Sequence, residues 1–152
     1  MTYLNVFEAT TTEKILDRLA SLEASTSPQW GKMDAPKMLA HLCVSYDMAY
    51  GAIKVNNSAF KKLLFKLFVK KAVVGEKPYP KNSRTAPEFI IKSDKDFEQE
   101  KARFIAYVKR VEKDGVAVFE GKESPSFGPL SAGEWSILFY KHLDHHFRQF
   151  GI

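Results

Sequence analysis

Four stretches of the 152-residue chain carry apolar residues three and four positions apart, the spacing of a helix with one buried face. Ile15, Leu16, Leu19 and Leu22 predict a first helix over about 13–24, with the threonines at 10 to 12 as its cap and Pro28 barring its continuation. Asp34 predicts the cap of a second, with Pro36 in the first turn where a missing N–H costs nothing. At about 100° per residue its apolar face is Met38, His41, Leu42, Ser45, Met48, Ala49 and Ala52. Ser93 and Asp96 resemble a capping box for a third helix, carried by Phe97, Phe104, Val108 and Val111 until Asp114 and Gly115 stop it. Residues 116–119 are expected to form either a short strand or an extended loop, the loop being preferred. Ser131 and Glu134 form a capping box for the last helix, whose inward face is Trp135, Leu138, Phe139, His142, His146 and Gln149. Lys141, Asp144 and Arg148 fall on the opposite side.

Between the second and third helices the pattern changes. Residues 59–71 alternate Phe60, Leu63, Leu64, Leu67 and Phe68 with Lys61, Lys62, Lys66 and Lys70, a short basic amphipathic helix. The preferred reading lays this helix on the bundle with its lysines solvated. The alternative is a membrane-surface or acidic-partner helix. From 74 to 91, three prolines argue against regular structure, and a connection of this length either walls a pocket or merely crosses the bundle, the simpler case. The predicted architecture is all-α: a four-helix bundle, residues 1–152 as one domain, with a long crossover holding an extra short helix between its second and third members.

Composition narrows the class without choosing a function. With 45% hydrophobic and 27% charged residues the chain has the make-up of an ordinary globular protein. One cysteine, Cys43, excludes an intrachain disulfide and a Cys-rich zinc knuckle, which fits a reducing cytoplasm. No signal-like N-terminus and no apolar run near the ~18 residues of a membrane span is present, so the mature chain is expected to begin near Met1. The net charge of +5 comes largely from the basic helix. Nucleic-acid binding is not expected, since no reading motif accompanies the charge.

The histidines are the chemistry. His142 and His146 stand one turn apart, close enough for one metal ion to take both imidazoles, and His41 lies in the apolar stripe of another helix. Three imidazoles with an open position match a catalytic rather than a closed structural site. Zinc or nickel suits such ligands, with iron or manganese next. His145 sits at the edge of the stripe, about 60° from His142 and 100° from His146, and is assigned at most an outer-shell role, as is Gln149. The same pattern also describes core and surface histidines with no metal. Cys43, about 200° around its helix from His41, points away from the site as a buried small residue.

The sequence HisLeuAspHisHisPheArgGln at 142 to 149 resembles the C-terminal signature of the DinB-like four-helix bundles, which include the YfiT-like metal enzymes. The AlaHisLeu element at 40 to 42 resembles the same superfamily, and the stretch from SerPheGlyProLeuSer at 126 to 131 through HisHisPheArgGlnPheGly at 145 to 151 is similar to an uncharacterised branch of it. The resemblance implies a divalent-metal triad of His41, His142 and His146, without His145. It also implies a thiol-dependent transferase acting on small electrophiles, with a low-molecular-weight thiol as partner beside the small-molecule substrate, or a hydrolase using metal-bound water. Where the motif has ArgGly before its Gln, this chain has Phe147 and Arg148, so that arginine's contacts do not carry over. A non-enzymatic binding module working through residues 59–71 is the competing class, and a homodimer is a further expected assembly.

Overall fold

Residues 3–152 are described by a computed structural model. Four longer helices form its frame: α1 (Ala9–Ala20), α2 (Ala35–Ala49), α5 (Phe97–Phe119) and α6 (Ala132–Gln149). Two short ones, α3 (Ala59–Phe68) and α4 (Lys70–Val74), lie in the connection from α2 to α5. A two-stranded antiparallel hairpin, β1 (Lys122–Ser124) paired with β2 (Gly128–Leu130), leads into α6. The chain is thus predominantly helical. Among the described residues no helix is long and apolar enough to cross a membrane.

Local chemistry sets most helix starts. The Asp34 side chain accepts from the Lys37 N–H and Pro36 occupies the first turn of α2, so orphan donors are met or absent. Ser58 caps α3 through the Lys61 N–H. Ser131 and Glu134 make both bonds of a capping box at α6. At α5 the cap is Asp96 itself, accepting from the Gln99 N–H, rather than Ser93 in a box with it. The first helix begins earlier than its apolar spacing suggests, at Ala9, with Glu8 in the cap position and no side-chain cap bond. Leu22 still reaches the core from the turn beyond the helix end.

Residues 116–119 are not a loop. Gly115 takes φ 65° and ψ −172°, breaking α5, and the chain then resumes one helical turn to Phe119. A left-handed backbone angle is cheap only for glycine. That kink lets Phe119, with 0% exposure, pack at 5.4 to 5.9 Å centroid distance from Phe7, Tyr50, Trp135 and Phe139.

Packing makes α2 central: nearly all of its residues are buried, and it packs on both α5 and α6. Its Asp47 is buried and receives the Arg103 guanidinium and the Tyr107 hydroxyl, while Arg103 also pairs with buried Glu100 at 2.8 Å. Carboxylates this far from water persist because each has a charged or hydroxyl donor.

The outer side of α6 differs from its polar pattern. Lys141, placed opposite the apolar stripe by angle, is 1% exposed, and its Nζ donates to the carbonyls of Ala72, Gly75 and Lys77 at 2.8, 2.6 and 3.2 Å. The crossover wraps this side of α6 and needs a three-donor pin. Burial pushes the ammonium down to about 8, and the three carbonyl oxygens oppose that shift. Asp144 faces α1, paired with Arg18 at 2.8 Å. Only Arg148 of the three remains largely in solvent.

The basic helix also departs from expectation. Its apolar residues do not all lie on the body of the protein: Phe60, Leu63, Leu64, Leu67 and Phe68 are exposed. Only Phe65 of α3, with Val73 and Val74 of α4, packs inward.

Candidate metal centre

Central α2 and the last helix, α6, pack against each other. His41 comes from α2, and His142 and His146 from successive turns of α6. Their ring centroids lie 4.9 Å (His41 to His142), 4.6 Å (His41 to His146) and 5.1 Å (His142 to His146) apart. One ligand atom of each falls within 4.8 Å of the others, and the three form a group that could hold a metal ion. Nε2 of His142 is 2.9 Å from Nε2 of His41. Metal–nitrogen bonds of about 2.0–2.1 Å in tetrahedral geometry place two donor nitrogens about 3.3 Å apart, close to the spacing of this pair.

Hydrogen bonds choose the tautomers. His41 Nδ1 is 2.8 Å from the Phe89 carbonyl, which can only accept, so Nδ1 carries the proton and the Nε2 lone pair turns toward the other rings. His146 Nδ1 is 2.7 Å from Gln149 Oε1, with the same consequence. The Gln149 amide is oriented in turn by Nε2 donating to the Trp30 carbonyl at 2.6 Å. Nitrogen lone pairs as close as those of His41 and His142 repel unless a proton or a cation lies between them. Outer hydrogen bonds of this kind are what hold metal-ligating imidazoles in place.

Burial favours the neutral rings. It lowers the pKa of His41, with the Phe89 carbonyl opposing and His145 adding to the fall. His142 is held well below the usual imidazole range by burial and then by its three histidine neighbours. His146 is pushed to about 3, mainly by burial and by His41, against the opposing bond from Gln149. All three rings therefore favour the neutral form, with one N–H and one nitrogen lone pair each. The group contains no carboxylate, so a bound divalent ion would keep its charge.

His145 stands outside the group. Its ring meets Trp30 edge-on at 6.0 Å, Tyr79 at 5.8 Å and His146 at 5.1 Å. It lines a cleft of about 330 Å3 with Trp30, Tyr79, Lys81, Asp144 and Arg148, and none of the three clustered histidines lines that cleft. Cys43 is fully buried, and burial pushes its thiol up to about 12.

Phe89 and Trp30 were not legible as site residues. The proline-rich connection, read chiefly as a plain crossover, ends in a 3-10 turn at Pro87–Phe89. There the Phe89 ring lies 5.4 Å from His41 and 5.6 Å from His142, walling the site. Pro87 hinted at a turn, but a backbone carbonyl acceptor has no sequence signature.

The profile of a family described as "Protein of unknown function (DUF1569)" matches residues 2–151, and the chain belongs to that family. No curated protein and no solved structure matches the chain.

Proposed function

We propose that this member of the family is a divalent-metal protein of DinB-like fold, with His41, His142 and His146 as the ligands. The observation that carries the reading is the pair of outer hydrogen bonds. The Phe89 carbonyl and Gln149 Oε1 each take an Nδ1 proton, leaving the Nε2 lone pairs of His41 and His146 for one cation. Zinc or nickel suits three imidazoles best. Iron and manganese follow.

The reaction we assign to the site is transfer of a low-molecular-weight thiol to a small electrophile, which rests on the resemblance of residues 142–149 to the DinB-like signature. When bound, the ion would supply Lewis-acid chemistry, lowering the pKa of a thiol and stabilising the thiolate. The chain's own residues position and shield. His142, the only half-buried member of the three, marks the side from which a reagent approaches. Phe89 packs edge-on against His142 at 5.6 Å and forms one wall of the site. His145, held edge-on between Trp30 and Tyr79, covers His146 from the cleft.

Elemental analysis of untagged protein tests the metal first. About one ion per chain is expected, falling to a trace in His41→Ala; an unchanged metal content in that variant would overturn the triad. A conjugation assay with and without thiol tests the reaction. Turnover of a hydrolysable substrate without thiol would replace transfer by hydrolysis.

A further inference from the structure

The first short helix of the crossover, α3, has an apolar face that is uncovered among the described residues. Phe60 is 71% exposed, Phe68 75%, Leu67 63% and Leu63 52%. Buried residues of this type are the norm, and several large ones side by side on a surface mark an interaction site. α3 is seated by its other side, where Phe65 packs on the core.

Charge is arranged around that face. At 100° per residue, Leu63, Leu67, Phe60, Leu64 and Phe68 span an arc of about 140°, with Lys66 about 60° beyond one edge and Lys61 about 20° beyond the other. No Asp or Glu occurs from Ile53 to Gly75, while lysines stand at 54, 61, 62, 66, 70 and 71. Lys70 is paired with Glu134 at 2.7 Å. Elsewhere in the chain, acidic and basic residues balance to within one, so the net positive charge of the protein sits on this edge.

We propose that α3 docks on an anionic lipid surface, its Phe and Leu side chains entering the boundary between headgroups and acyl chains and Lys61 and Lys66 meeting headgroup phosphates. An apolar face rimmed by lysines is the physical requirement of a helix lying in that interface. A second copy of the chain fits less well. Two such faces brought together would oppose their lysine rims, and the segment holds no carboxylate to place between them. The proposal is independent of the metal centre.

Flotation of the full-length protein with vesicles tests it, using phosphatidylcholine alone and phosphatidylcholine with about a third phosphatidylserine. Binding is expected only to the anionic vesicles and should weaken as salt is raised. Lys61→Gln with Lys66→Gln should weaken it by about fivefold per lysine, and Phe60→Gln with Leu67→Gln should abolish it. All four positions are exposed, so an unchanged melting temperature verifies the fold of each variant. Absence of vesicle binding, equal binding to neutral vesicles, or full binding by the Phe60→Gln/Leu67→Gln variant would overturn the proposal. Concentration-dependent dimerisation that this variant abolishes, without vesicle binding, would assign the face to a second copy instead.

Discussion

Replacing Gln149 by Met removes an amide of similar length that is 5% exposed and bonded at both ends. Its Oε1 takes the His146 Nδ1 proton at 2.7 Å and its Nε2 donates to the Trp30 carbonyl at 2.6 Å. Leaving two such groups unpaired costs about 1–3 kcal/mol each when both stay buried. The loop at Trp30 can turn its carbonyl to water, so a total of about 2–3 kcal/mol is expected. At about 2–4 °C per kcal/mol for a chain of this size, melting should fall by roughly 5–10 °C. Metal affinity should fall about 10- to 100-fold, because the His146 ring loses the partner that holds its Nε2 toward the site. Gln149→Glu separates the two effects. A carboxylate keeps the acceptor for His146 but loses the donor to Trp30, so melting should drop while metal affinity stays within about threefold. Competition titration with a chromophoric chelator, beside thermal melts of the apo form, reads both quantities. Metal affinity in Gln149→Met within about threefold of the parent, with the melting drop present, would refute the orienting role.

Lys141→Met strips the donors from three crossover carbonyls and relieves the burial of one charge, so a net loss of about 2–4 kcal/mol is expected from denaturant unfolding; a loss below about 1 kcal/mol would show that the ammonium is not the pin. Cys43, fully buried with its thiol pushed up to about 12, should resist a chromogenic disulfide reagent near pH 8 in the native protein and react fully in denaturant. Glu134 carries the pH prediction. Burial raises its carboxyl pKa, but the bonds to Lys70 and Ser131 outweigh this and leave it below the ordinary value. A depressed folded value gives stabilisation that is present above the unfolded pKa and lost as pH falls through the folded one. Glu134→Gln should therefore flatten the acid limb of melting temperature against pH and leave the neutral region nearly parallel to the parent.

Period was enough to find the four longer helices and caps to place the starts of three of them, because both are local: Asp34, Asp96 and Ser131 reach N–H groups only three residues on, whereas α1 begins without a side-chain cap. The convergence of His41 with His142 and His146 was legible for a related reason, since helical spacing put each on an apolar stripe and apolar stripes meet in a core. Four features were not legible from that pattern. Lys141 looks solvent-facing on a wheel, yet the crossover covers it. Phe60, Leu63 and Leu67 look like a buried stripe, yet α3 is seated by Phe65. Residues 116–119 look like a loop, yet Gly115 turns the chain and lets a helical turn resume. The acceptor of the His41 proton is a main-chain carbonyl that any residue could have supplied. Sequence by itself determined which positions prefer helix, which faces avoid water and which side chains can donate to a metal. Tertiary structure decided which of those faces is covered and which nitrogen of the His41 ring points inward, because the cover of Lys141 and the acceptor of the His41 proton lie 48 residues or more away along the chain.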